Sequence, residues 1–236
     1  MIILEFDLSY YTHQGQRVNN EDYASFKPIN NSLLAVVADG LGGHKNGAEA
    51  SHLAVDSLIQ TLSNESYEDE KLIYAIQKAN FLVHSNEQCG LTTIAVLWLN
   101  DCQAFTAHVG DTRIYQFRNN KIIFQSSDHS VVQLGVSAGK ITYEEARTHK
   151  DRNKLLRALG NSEHSTVECH SLSVQSGDRF LLCTDGFWEA ITEEKMTSAL
   201  RTSQDSKSWL SYLYRLVDQR NYQRQDNHTA IAIFVN

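Results

Sequence analysis

The sequence predicts an α+β protein, a sheet sandwich with helices on its outside. Three observations carry this expectation. Strand-like runs stand on both sides of a helix pair, and a second helix pair lies near the end of the 236-residue chain. Two continuous apolar runs, Leu33-Leu34-Ala35-Val36-Val37-Ala38 and Phe180-Leu181-Leu182-Cys183-Thr184, each stop at Asp-Gly, as Asp39-Gly40 and Asp185-Gly186. Runs without polar alternation read as strands buried on both faces. Asn-Asp and Asn-Asn pairs between strand candidates are hairpin signals of an antiparallel sheet.

From the N-terminus, Phe6, Leu8, Tyr10 and Thr12 alternate over residues 4–14, the pattern of a strand. Gly15 turns the chain, and a second strand starts over Tyr23 to Phe26. The only proline lies in an expected loop, Pro28 to Ser32. The first buried strand then ends at Asp39. Gly40 to Gly47 form a glycine-rich loop before two amphipathic helices at about 47–63 and 68–86, marked by Ala50, Leu53, Ala54, Leu58, Leu72, Ile76, Ala79 and Val83. Four strand candidates follow as an expected meander. Thr92–Leu99 and Cys102–Val109 are joined by Asn100-Asp101, and Arg113–Arg118 and Lys121–Gln125 by Asn119-Asn120.

Between Asp128 and Gly160 the pattern changes to short helices, with a capping-box signal at Thr142-Tyr143-Glu144-Glu145. This reads as an inserted segment and not an independent domain. Strands resume at Thr166–Val174 and Arg179–Thr184. Helices are expected at about 193–202, capped by Thr192, and at 206–220, and a last strand at Thr229–Val235. No repeat, low-complexity tract or linker divides the chain, so residues 1–236 read as one domain.

The apolar share of 42% and charged share of 21% are ordinary for a globular protein. A net charge of −7, with no basic cluster, argues against nucleic acid as a partner. No stretch approaches the roughly 20 apolar residues that span a bilayer, so no membrane is expected. The start of the chain lacks a basic region and a sufficiently long apolar run for a signal peptide. The four cysteines, Cys89, Cys102, Cys169 and Cys183, form no C-x-x-C pair. Cys102 and Cys183 fall in apolar strand patterns and are expected as buried thiols, which suits a cytoplasmic protein without disulfides.

Asp22, Asp39, Asp111, Asp185 and Asp226 each lie at a strand end or in an adjoining loop. Any one alone reads first as a turn former. Two buried strands, distant in sequence and each ending in a carboxylate, suggest instead a shared acidic site. Clustered carboxylates repel and raise their own pKa values unless a cation neutralises them. An all-oxygen set without paired His or Cys points to Mg2+ or Mn2+ and not Zn2+. Two such ions can activate water and neutralise a phosphoryl group, which suits in-line displacement at a phosphate ester. Arg17 is a candidate to grip the phosphate with its planar guanidinium, or else an exposed loop charge.

These motifs resemble one family. Arg17-x-x-Asn20-Glu21-Asp22, Ala38-Asp39-Gly40-Leu41-Gly42-Gly43-His44, Thr92-Thr93, Val109-Gly110-Asp111-Thr112-Arg113-Ile114-Tyr115, Asp128-His129-Ser130, Arg157-Ala158-Leu159-Gly160, Cys183-Thr184-Asp185-Gly186 and Asp226-Asn227-x-Thr229 look like the ordered motifs of the PPM family. These are the type 2C metal-dependent protein Ser/Thr phosphatases, here of the bacterial branch. The resemblance implies a four-layer α-β-β-α sandwich, two antiparallel sheets flanked by helix pairs, with a two-metal centre at one end. It implies that Asp39 bridges both ions, that the Gly40 carbonyl ligates one, and that Asp185 and Asp226 complete one ligand set. Glu21 and Asp22 would act mainly through water or from behind the ligands. Asp111 with Asp185 would form a third, weaker metal site, and Arg17 would hold the phosphate.

The segment at about 128–160 would be the family's flap. Phosphoprotein substrates, a Ser/Thr kinase or its targets as counterpart, and a monomeric state are likewise implied. Leu41 stands where some relatives carry a general-acid His. His44 matches a His of the bacterial pattern and either protonates the leaving group, orients a metal-bound water, or only packs or caps the next helix. Leu91 and His228 are further local departures. A C-x5-R cysteine phosphatase is excluded, because the sixth residues after the cysteines are Ala95, His108, Gln175 and Glu189. Adjacent Asp128-His129-Ser130 do not suit a catalytic triad, and Asp128 or Ser130 is expected to cap a helix. The rival reading, a catalytically weak phosphoprotein-binding module, predicts lost ligands, and none is lost here.

Overall fold

A computed structural model describes residues 5–41, 46–219 and 225–236. Two antiparallel sheets face each other. One runs in the order β1 (Phe6–His13), β11 (His228–Val235), β10 (Arg179–Cys183), β7 (Arg113–Arg118), β8 (Lys121–Gln125). The other runs β2 (Asp22–Ile29), β3 (Ser32–Leu41), β5 (Ile94–Leu99), β6 (Gln103–Val109), β9 (Glu168–Ser173), with β4 (Leu91–Thr92) paired to the end of β3. Helices α1 (Gly47–Leu62) and α2 (Asp69–Ser85) cover the second sheet. Helices α6 (Glu193–Leu200) and α7 (Ser206–Asp218) cover the first, which completes the expected four layers.

Strand alternation explains the two unbroken apolar runs. In β3, Leu34, Val36 and Ala38 join Leu58 of α1 and Ile76 of α2 in one core. Leu33, Ala35 and Val37 point the other way and meet Ile114, Leu182 and Ile231 between the sheets. In β10, Leu181 and Cys183 pack under Trp209, Leu213 and Val217 of α7, while Phe180 and Leu182 face the inter-sheet core. Both strands therefore need apolar residues at every position.

Four local expectations are corrected. Pro28 does not lie in a loop. It is paired with Leu33 inside β2, and the turn is only Asn30-Asn31, with Asn30 at φ 51°. Strand β2 is a sheet edge, where a missing N–H costs no ladder bond. The two hairpins do not form one meander. Strands β5 and β6 belong to one sheet, β7 and β8 to the other, and the chain crosses between them at Gly110-Asp111-Thr112. Gly110 takes φ 106°, a conformation open mainly to glycine. Cys102 is exposed rather than buried, because Asn100 accepts hydrogen bonds from the Cys102 and Gln103 amides and holds Cys102 in the turn. Thr93 interrupts the expected Thr92–Leu99 strand.

The chain between β8 and β9 carries two short helices, α3 (Val131–Ser137) and α4 (Tyr143–Ala146). Ser130, not Asp128, caps α3, and Thr142 with Glu145 forms the capping box of α4. Bridges from Ser130 to Leu155 and from Thr92 to Leu159 return this segment to the body, where Leu159 is fully buried.

Candidate metal centre

The ends of β3, β10 and β11, the 110–112 crossover and the loop before β2 meet at one end of the sandwich. Asp39 is fixed there by the Thr92–Thr93 interruption. Its amide donates to Thr93 Oγ1 at 3.0 Å, and its carbonyl accepts from Thr92 Oγ1 at 3.0 Å and the Thr93 amide at 2.9 Å. Asp185 opens the short helix α5 (Asp185–Trp188) directly after β10. Asp226 precedes β11, and its neighbour Asn227 clamps the other wall. The Asn227 amide side chain donates to the Gln14 and Asn19 carbonyls and accepts from the Glu21 amide, all at 2.9 Å.

Both glycines of the Asp-Gly pairs are required by close approach and not by a special turn. A Cβ on Gly40 would sit 2.2 Å from the Gly47 carbonyl oxygen, and one on Gly186 would sit 2.1 Å from that of Asn227. Gly40 in fact stays within β3, which continues to Leu41.

Arg17, Glu21, Asp39, Gly40, Asp111, Asp185 and Asp226 line one cavity of about 520 Å³, with Asn153 and Leu155 of the 128–160 segment on its wall. Burial first, and then repulsion from Asp185, Asp22, Asp111 and Asp226, holds the Asp39 carboxyl well above the usual range. Burial together with Asp185 and Asp128 does the same to Asp111. Asp185 is pushed up to about 7 by burial and by Asp226 and Glu189, partly offset by a hydrogen bond with Asp39. Arg17 reaches Asp226 in a two-point pair, Nε to Oδ1 at 2.7 Å and Nη2 to Oδ2 at 2.5 Å, with its side chain 57% exposed.

Asp22 does not line the cavity. Paired in register with Asp39, it is buried behind it and accepts from Thr184 Oγ1 at 2.8 Å. Burial pushes it up to about 8, and its Oδ1 has no partner. His44 lies outside the described residues.

The arrangement fits hard divalent cations. Buried and half-buried carboxylates that repel each other, an orphaned carboxylate oxygen behind them and, among the described residues, no His or Cys on the cavity wall form an oxygen-only donor set. A second cluster, His108, His129 and Glu168, brings its ligand atoms within 4.8 Å of one another. His129 Nδ1 accepts from the Gly110 amide at 3.1 Å, and its Nε2 faces both Glu168 Oε2 and Arg157 Nη1 at 3.3 Å. That trio braces the crossover beside Asp111. Asn227, Thr184 and Thr93 receive no separate role from the sequence, although each lies in a quoted motif, because their partners, backbone groups and for Thr184 also the Asp22 carboxylate, come near only in the fold.

The family profile described as protein phosphatase 2C matches residues 11–228. The chain belongs to the protein phosphatase 2C family. Within it, the chain is 32% identical to the serine/threonine phosphatase stp of Listeria welshimeri over 239 aligned residues, covering 95% of this chain and 94% of that protein. The crystal structure of the serine/threonine phosphatase Stp1 from Staphylococcus aureus superposes with a TM-score of 0.90 at 27% identity, covering 98% of this chain and 96% of that one. The catalytic domain of the phosphatase PstP in complex with 2 manganese ions superposes with a TM-score of 0.84 at 27% identity, covering 98% of this chain and 99% of that one.

Proposed function

We propose that this protein phosphatase 2C removes phosphate from phosphoserine and phosphothreonine in proteins, using divalent cations held at the acidic end of its sandwich. The observation that carries the reading is the convergence of Asp39, Asp111, Asp185 and Asp226 on one cavity with Arg17 at its mouth. Asp39 would serve as a ligand in both ion sites, with the Gly40 carbonyl, Asp185 and Asp226 as further ligands, all on the wall of one cavity. Asp111 and Asp185 offer a weaker third position. Asp22 and Glu21 support the set from behind or through water. Bound Mn2+ or Mg2+ would supply a water acidic enough to attack phosphorus and positive charge for the phosphoryl oxygens.

The chain's own residues do the rest. Arg17 presents a planar guanidinium that can bind two phosphate oxygens and fix the ester in line. Asp39 and Asp185 line the floor of the cavity with carboxylate oxygens, where bound cations would bring charge complementary to the transition state. The segment at 128–160 is assigned as the flap, in one domain with the rest of the chain. His44 is retained as candidate donor of a proton to the leaving hydroxyl. The physiological counterpart is a Ser/Thr kinase or its targets, met by a monomeric cytoplasmic enzyme. Among the described residues no helix is long and apolar enough to cross a membrane.

Hydrolysis of a small aryl phosphate and of a phosphothreonine peptide tests the reading. Both should require Mn2+ or Mg2+. Asp39→Asn should lower turnover by a hundredfold or more, roughly the loss seen when one main charge-stabilising group is removed, with unchanged circular dichroism. Full activity of chelator-treated protein would overturn the proposal.

A further inference from the structure

Trp188 ends helix α5 and is 5% exposed, yet nothing in the proposed chemistry uses it. Its indole Nε1–H donates to the backbone carbonyl of Asp111 at 2.9 Å. The face of its ring lies under the buried Arg113 guanidinium, 3.4 Å from the ring centroid. Arg113 is itself fixed by a two-point pair with Asp128, at 2.8 and 2.7 Å. The Trp188 carbonyl accepts from Arg147 Nη1 at 2.5 Å, and Arg147 Nη2 reaches both oxygens of Glu193 at 2.6 Å. Tyr143, one turn away from Arg147 on α4, donates to Glu193 at 3.0 Å and accepts from Arg113 at 2.8 Å. The indole is thus held at its face and its backbone, and it holds Asp111 in turn.

We infer that Trp188 is a positioning residue that sets the Asp111 backbone, and so its carboxylate, through the indole N–H, and that Arg147 fixes Trp188 from the 128–160 segment. The crossover around Asp111 needs such a brace. Gly110 at φ 106° leaves it without a strand ladder, and His129 secures only the Gly110 side through its amide. A carbonyl held by a buried donor cannot rotate its peptide plane freely, and the adjacent side chain inherits that orientation. A cation position that depends on Asp111 and Asp185 should therefore weaken when the donor is removed, while positions built on Asp39 and Asp226 should not. The inference rests on the proposed metal-dependent function.

Calorimetric titration with Mn2+ tests it, because it reads binding without turnover. Trp188→Phe keeps an aromatic ring under Arg113 and deletes the N–H. Trp209→Phe is the control. Its indole is fully buried and donates to the Met196 carbonyl at 3.1 Å, not to the Asp111 backbone. Trp188→Phe should weaken the weakest Mn2+ step about tenfold, the equivalent of about 1.4 kcal/mol, and leave the tighter steps within about twofold. Trp209→Phe should lower thermal stability without moving any Mn2+ step. Arg147→Met, which removes no proposed ligand, should shift the same weak step in the same direction, and it carries the test if Trp188→Phe fails to fold. Unchanged Mn2+ steps in Trp188→Phe or in Arg147→Met, or equal shifts in Trp188→Phe and Trp209→Phe, would overturn the inference while wild-type hydrolysis left the function standing. A wild-type chain that binds no Mn2+ and hydrolyses nothing would overturn both.

Discussion

Arg17 and His129 show how differently two polar side chains near one cavity act. Arg17 is more than half exposed, and its pair with Asp226 is open to solvent, so the contact adds little stability. Its value is in binding. Arg17→Ala should raise KM for a phosphopeptide about tenfold or more while leaving the thermal midpoint nearly unchanged, and a midpoint loss without a KM effect would assign Arg17 a structural role instead. His129 is nearly buried and held neutral. Burial, then neighbouring His108, lowers its pKa to about 4, against the partial opposing pull of Glu168. Below pH 6.5 the unfolded chain takes up a proton that the folded chain refuses until about pH 4. This group's contribution is therefore complete above pH 6.5 and is lost as pH falls through that window, by up to about 3 kcal/mol. Urea midpoints of wild type and His129→Gln should converge as pH falls from 6.5 to 4. Parallel profiles would show that another group carries the acid limb.

At the scale of elements, what each strand does decides how plainly it can be read. Strands β3 and β10 sit inside the sandwich with both faces covered, so every position is constrained and the apolar runs are unmistakable. Strand β2 sits at an edge, and edge position is not written in local sequence, so Pro28 reads as a loop although it lies in a ladder. The two hairpins part into different sheets at the short Gly110-Asp111-Thr112 crossover, where Gly110 takes φ 106°. The carboxylates are legible because their chemistry resides in the side chain. Asn227 and Trp188 are less so, because they work by gripping carbonyls and amides brought close only by folding. Gly186 belongs to the same class. Its lack of a side chain lets α5 pass the start of β11, and Gly186→Ala would force backbone against backbone. It should cost about 1–3 kcal/mol, the usual range for overpacking, and should depress Mn2+ binding with it because Asp185 and Asp226 flank the contact. Retained stability and binding would mean that the two segments can move apart freely.

For the whole molecule, the two sheets are joined by an apolar core and, at one end, separated by charge. Asp39 and Asp22 come from one sheet and Asp185 and Asp226 follow or precede strands of the other; Asp39, Asp185 and Asp226 line one cavity, and the charge of Asp22 acts on Asp39 from behind. Apolar contact between the sheets, through residues such as Leu97 and Ile233, opposes that repulsion. The sign of a carboxylate's effect on stability must then depend on whether a cation is present. In chelator at pH 8, above the Asp185 value of about 7, a half-buried anion is held against repulsion from Asp226 and Glu189. Asp185→Asn should therefore be more stable than wild type there, by on the order of 1–4 kcal/mol. With Mn2+ at a hundred times its dissociation constant, wild type should gain about 2.7 kcal/mol for each ion bound only by the folded state. The variant should gain less, and the order of the two melting temperatures should reverse. Melting curves of both proteins with chelator and with Mn2+ test this directly. If Asp185→Asn is the less stable protein under both conditions, the carboxylate is a structural element of the sandwich end and repulsion there is negligible. If the order crosses, the same repulsion that weakens the folded chain is what draws the ions between its sheets.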